Sequence, residues 1–99
     1  MIVCEFSVVP LGAGESLSEQ VAKCLKIVQE SGLPYQLTPM GTILEGEWDE
    51  VFKVIKRCRD ELRKGFKRVL ITIRLDDRQA PPGRLQAKVR SVEEKLDRM

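Results

Sequence analysis

In a chain of 99 residues without a histidine, Glu45 is the side chain best placed to do chemistry. It lies in the stretch Gly41-Thr42-Ile43-Leu44-Glu45-Gly46-Glu47-Trp48, which also carries the sole tryptophan. Thr42 to Leu44 suits a strand, because β-branched and apolar side chains fill a half-buried pleated surface. Gly46 then frees the backbone. Glu47, Asp49 and Glu50 open a helix, where carboxylates face the unsatisfied N–H groups and the positive end of the helix dipole. A carboxylate that ends a central strand has little structural reason to be there, and this position suits the anchor of a ligand site. The competing reading is a plain strand-to-helix junction with a surface glutamate.

Other chemistries lack their parts. Cys4, Cys24 and Cys58 are widely spaced, form no Cys-x-x-Cys pair and each sit in an apolar pattern. Without histidine, structural zinc and Cys/His catalysis lose their usual ligands and bases. No metal or cofactor is expected, and the cysteines read as reduced, buried, space-filling thiols of a cytoplasmic protein. Asp76-Asp77 is the best acidic pair, but adjacent residues at a strand end point apart, which favours loop solvation over shared-proton catalysis. A net charge of +2 with five aromatic residues argues against nucleic acid. No apolar run is long enough to span a membrane, and the N-terminus lacks the pattern of a signal peptide.

Around that stretch the chain reads as a single domain, residues 1–99, with a core over 1–78 and an added helix at about 84–97. Residues 2 to 10 alternate, placing Ile2, Cys4, Phe6 and Val8 on one face of a strand. Ser16-Leu17-Ser18-Glu19 is a capping-box pattern opening a helix whose stripe is Leu17, Val21, Cys24, Leu25 and Val28. Gly32 and Pro34 end it. Pro34 to Thr38 and Thr42 to Glu45 form a hairpin with Pro39-Met40-Gly41 as its loop. In the second helix the buried stripe is Trp48, Val51, Phe52, Ile55 and Leu62, widened by Val54 and Cys58. Lys67 to Asp76 alternates as the last strand. A turn-rich segment leads to a third helix with the thin stripe Leu85, Val89, Val92 and Leu96.

Strand, helix, strand, strand, helix, strand is the order of a ferredoxin-like α+β sandwich, with both helices on one face of an antiparallel sheet. The other face then carries Val3, Glu5, Ser7 and Val9 beside Leu70, Thr72 and Arg74. Such a mixture of apolar residues and opposite charges suits an interface, and burial of this face and the third helix between subunits predicts a homodimer or homotetramer.

The blocks Ser31-Gly32-Leu33-Pro34-Tyr35, Pro39-Met40-Gly41-Thr42, Glu45-Gly46-Glu47-Trp48 and Val54-Ile55-Lys56-Arg57-Cys58 occur together with Lys67-Arg68-Val69, Asp76-Asp77-Arg78 and Lys88-Val89-Arg90-Ser91-Val92-Glu93. Over nearly the whole chain this set resembles the thiamine-binding-like family of small ferredoxin-like proteins. The resemblance implies that fold, assembly into dimers and tetramers, and binding of thiamine or its pyrimidine part rather than catalysis.

Thiamine joins a flat aminopyrimidine to a cationic thiazolium, so its pocket needs an apolar or aromatic slot, a carboxylate, and polar groups that fix orientation. Near the hairpin the chain offers Glu45 as anchor, Tyr35 and Trp48 as rings, and Thr38 and Thr42 as hydroxyls, with Ser7 on the open sheet face. Trp48 also lies on a core stripe, Tyr35 also fills a sheet edge, and Thr42 also suits a turn. The expected pocket lies between the hairpin and the start of the second helix, at or beside a subunit interface. The alternative function is an oligomeric regulatory or structural module without a dedicated ligand.

Overall fold

The computed structural model describes residues 1–14 and 17–99 of the chain. Strand β1 spans Ile2–Pro10, helix α1 Leu17–Ser31, strand β2 Tyr35–Thr38 and strand β3 Gly41–Gly46. Helix α2 spans Trp48–Arg63, strand β4 Val69–Asp77 and helix α3 Arg84–Asp97. The strands form one sheet in the order β2-β3-β1-β4, and every neighbouring pair is antiparallel. With β1 inserted between β3 and β4, each helix must cross over a strand to reach the next parallel one. This is the ferredoxin-like α+β sandwich expected from the element order.

Alternation along β1 decides which face is dry. Its even-numbered residues from Ile2 to Pro10 are buried and its odd-numbered ones half-buried. Cys4, Phe6 and Val8 join Leu44 of β3, Cys24, Ile27 and Val28 of α1, and Val51, Val54, Ile55, Cys58 and Leu62 of α2 in one core. All three cysteines are free thiols buried there.

Two helical stripes differ from the pattern-based expectation. In α1 the buried residues are Gln20, Cys24, Ile27 and Val28, while Leu17 and Val21 stay about 40% exposed. The first turns of α1 overhang the β2–β3 hairpin, where Leu17 and Val21 line an open groove with Leu37 and Met40. In α2 the stripe is Val51, Val54, Ile55, Cys58 and Leu62. Trp48, the first residue of that helix, is half-exposed and rests on Phe52, with ring centroids 4.6 Å apart and planes at 34°. At the end of a helix, a large ring can reach past the sheet edge and be covered on one side only.

Local chemistry sets the ends of these elements. Gly32 stops α1 with φ at 75°, a left-handed cap. Glu47 caps α2, and its N–H donates to Glu50 Oε1 at 2.9 Å, one half of a reciprocal capping box. The capping pattern that includes Ser16 lies outside the described residues. The hairpin loop is one residue shorter than expected: Thr38 pairs with Gly41, leaving Pro39 and Met40 as the turn. Thr38 Oγ1 accepts from the Met40 N–H at 3.2 Å and donates to the Gly41 carbonyl at 2.8 Å.

Gly41 has φ at 156°, and a Cβ there would sit 2.9 Å from the Phe6 carbonyl oxygen. That oxygen belongs to the central strand and has no freedom to retreat. Gly41→Ala is therefore expected to destabilise the fold by about 1–3 kcal/mol, the usual cost of forcing a tight site apart. Urea midpoints of this variant and of Met40→Ala, which alters a side chain 83% exposed, provide the comparison. An unchanged midpoint for Gly41→Ala would refute the steric argument.

Helix α3 stands apart from this core. None of its residues is buried, and Val89, Val92 and Leu96 are 49%, 66% and 64% exposed. The molecule measures 49 × 29 × 20 Å.

Candidate functional site

Leu44 and Glu45 are neighbours on β3 and therefore face opposite sides of the sheet. Leu44 enters the core, whereas Glu45 shares the outer face with Val3 of β1, which in turn pairs with Asp76 of β4. The Glu45 side is not open solvent: the residue is only 2% exposed. Its N–H donates to the Pro34 carbonyl at 3.0 Å. Its Oε1 accepts the backbone N–H of Arg84, the first residue of α3, at 2.6 Å. A carboxylate at a helix N-terminus meets both an unsatisfied donor and the positive end of the dipole. Glu45 thus has a structural partner after all. It attaches α3 to the sheet, and the expectation that a strand-end carboxylate lacks a structural reason is corrected here.

A second tether runs one turn further along α3, where Lys88 Nζ is hydrogen-bonded to Asp76 Oδ2. That hydrogen bond and the lysine charge hold the Asp76 carboxyl below its usual range. Asp76 is therefore more than a solvated loop residue. Arg74, on the same outer face, pairs with Glu5 across β1 and β4 at 3.2 Å. Arg84 Nε is buried with no hydrogen-bond partner among the described residues.

These hydrogen bonds hold α3 by its first turns, and a cleft of about 750 Å³ opens between it and the β2–β3 edge. Pro34, Tyr35, Gln36 and Glu45 line the sheet side, and Gly83, Leu85, Gln86, Val89 and Arg90 line the helix side. Its volume lies within the range of small-molecule sites. Glu45 is the one carboxylate among the lining residues. Its Oε1 is engaged by α3 while the residue lines the cleft.

The six residues singled out from the sequence divide among three places. Glu45 and Tyr35 border this cleft, although the Tyr35 hydroxyl accepts from Gln29 Nε2 of α1 at 3.1 Å and is turned to the helix side. Ser7, Thr38 and Thr42 border the separate groove at the other end of the hairpin, of about 280 Å³. Thr42 pairs with Phe6 and Leu37, so it lies on the helix face of the sheet, opposite to Glu45. Trp48 lines neither. The start of α3, rather than that of α2, supplies the second wall. Leu85, Gln86, Val89 and Arg90 were not anticipated as site residues. Their signal was the thin apolar stripe with polar neighbours, which implied a helix that had to lie against something.

Among the described residues, no helix is long and apolar enough to cross a membrane. Among the same described residues, no group of three or more histidine, cysteine, aspartate or glutamate side chains is gathered to hold a metal ion.

Fold and cleft together define a small ferredoxin-like domain with a carboxylate-floored pocket under an appended helix. Residues 4–93 match the family model of the thiamine-binding protein, and the chain belongs to that family. It is similar to the UPF0045 protein sll0230 of Synechocystis, with 37% identity over 97% of this chain and 80% of the relative. The UPF0045 protein YqgV of Bacillus subtilis is 36% identical over 97% of this chain and 98% of its own. Among solved structures, the hypothetical protein MJ1052 of Methanocaldococcus jannaschii superposes with a TM-score of 0.85 at 30% identity, covering 94% of this chain and 96% of that one. A candidate thiamine biosynthesis/salvage protein of Thermotoga maritima, TM0486, shares the fold with a TM-score of 0.76 at 21% identity, over 89% of this chain and 97% of that one.

Proposed function

We propose that the protein binds thiamine or its hydroxymethylpyrimidine part in the cleft between β2, β3 and α3, without covalent change, as a cytoplasmic carrier or sensor. The observation that carries this reading is the buried Glu45 carboxylate, held in place by the Arg84 amide and lining the cleft. An exocyclic amine donating to that carboxylate makes a charge-assisted hydrogen bond, about twice as strong as a neutral one. Leu85 and Val89 supply apolar walls for a flat ring, and the Gln36 and Gln86 amides can fix its orientation. Membership of the thiamine-binding family supports the ligand class. Isothermal titration with thiamine and, separately, with hydroxymethylpyrimidine tests it. Saturable binding of either is expected. Absence of heat with both, together with no heteroaromatic molecule in native mass spectra of the purified protein, would sink the reading.

A second reading, assembly into dimers or tetramers, rests on a different observation. Val89, Val92 and Leu96 form an exposed stripe on α3, and Leu70 on the outer sheet face is 55% exposed. Apolar surface of this kind is most simply covered by a second copy under closed symmetry. Sedimentation at micromolar concentration should show a species larger than the 11.3 kDa chain. Replacing both Val92 and Leu96 with glutamate should return it towards that mass. A wild-type protein that sediments only as the single chain would contradict this.

A further inference from the structure

The cleft beside α3 carries two charges of opposite sign. Glu45 is its one carboxylate, and Arg90 is the one cation among its lining residues. They differ in depth. Glu45 is 2% exposed, whereas Arg90 is open to solvent at the rim. Arg90 Nη2 donates to Gln86 Oε1, one turn earlier on α3, at 3.1 Å, and both residues belong to the lining. Among the described residues no carboxylate pairs with this guanidinium, so its other N–H donors are uncommitted.

The spacing of the two charges sets a length. Arg84, whose amide holds Glu45, and Arg90 stand six residues apart on α3, about 9 Å along the helix axis. We propose that the preferred ligand is a phosphate monoester, with its aromatic amine on Glu45 and its phosphate on Arg90; the inference rests on the thiamine-type reading of this cleft. Hydroxymethylpyrimidine carries its amine and its hydroxymethyl group on neighbouring ring atoms, so a phosphate there falls short of Arg90. The hydroxyethyl tail of thiamine lies at the far end of the molecule, and a phosphate on it spans the distance.

The depths of the two charges suit such a molecule. A guanidinium presents parallel N–H donors that match two phosphate oxygens, and these charge-assisted bonds are stronger than neutral ones. Stripping a phosphate of water is costly, and a rim residue can hold it while it keeps part of its hydration. The deep end takes the aromatic amine, and Leu85 and Val89, between Arg84 and Arg90 on α3, wall the space for the rings. An unphosphorylated tail offers Arg90 no negative charge. Arg90 therefore selects between ester and alcohol rather than adding affinity to both.

Titration calorimetry with thiamine and with thiamine monophosphate, at low and high potassium chloride, tests this selectivity. At low salt the wild type should bind the ester about tenfold more tightly, the low end for a hydrogen bond to a charged group because Arg90 is exposed. The preference should shrink at high salt, since an exposed pair is screened. Arg90→Gln should bring the two dissociation constants together, and Arg90→Lys should keep part of the preference through its charge. Lys95→Gln removes the same charge near the end of α3, outside the cleft lining, and should keep the full preference. The proposal is overturned if the wild type binds thiamine as tightly as its phosphate or if Arg90→Gln retains the preference. It is equally overturned if Lys95→Gln loses as much, which would make the effect one of net charge. Failure of both probes to bind would overturn the thiamine reading of the cleft and this proposal with it, whereas binding of thiamine without discrimination overturns the selectivity alone. Melting curves accompany each variant, and if one fails to fold, the wild-type ratio and its salt dependence still decide the matter.

Discussion

Glu45→Gln should lose roughly 10- to 150-fold in affinity for thiamine or its pyrimidine part while melting close to the wild type. The figure converts the about 1.5–3 kcal/mol of a hydrogen bond to a charged group into a ratio of dissociation constants. Glutamine keeps the shape of the side chain and a carbonyl oxygen, so the Arg84 N–H at 2.6 Å from Oε1 retains an acceptor. What disappears is the charge presented to the cleft. Glu45→Ala separates the two jobs. It removes the acceptor as well, leaving a part-buried amide at the start of α3 unpaired, at a cost of about 1–3 kcal/mol in stability. Titration calorimetry and thermal melts on both variants therefore give distinct signatures. If the glutamine variant binds at full affinity but melts much earlier, Glu45 serves only to attach α3, and the ligand site must be sought elsewhere.

The neighbouring residue should show the reverse. Leu44→Ala is expected to destabilise the protein by about 2–5 kcal/mol, because Leu44 is wholly buried on a strand inside the sheet and its loss leaves a cavity. Small domains have only about 5–15 kcal/mol in total. Urea unfolding should show a much lower midpoint with a similar slope, since the surface exposed on unfolding barely changes. Ligand affinity measured well below the transition should be unaltered, because Leu44 points away from the cleft. A mild stability effect would mean that the core can collapse around the missing side chain. Adjacent residues thus report on opposite faces of one strand.

The contrast also shows what one-dimensional pattern carries. The period of two in β1 and β4, the glycine stops and the acidic start of α2 are local signals, and they suffice for the element order and hence for the ferredoxin-like sandwich. Glu45 stood out for a similar reason, as a carboxylate ending an apolar strand, although the reason it is there proved to be the amide of Arg84. The buried thiols followed from their places in apolar stripes.

The partner of that carboxylate was not legible. Glu45 and Arg84 are 39 residues apart, and nothing local to either specifies the contact. It exists because β4 returns beside β1 and delivers the chain to the outer face, where the third helix must begin. Apolar periodicity likewise predicts that Leu17, Val21 and Trp48 are suited to burial. It cannot say that their helix ends overhang the sheet and leave them half exposed. By itself the sequence determined which residues seek the core and in what order the elements come. Only the tertiary structure decided which helix closes over Glu45, because that depends on strand order and chain direction. Both arise from the packing of the whole domain.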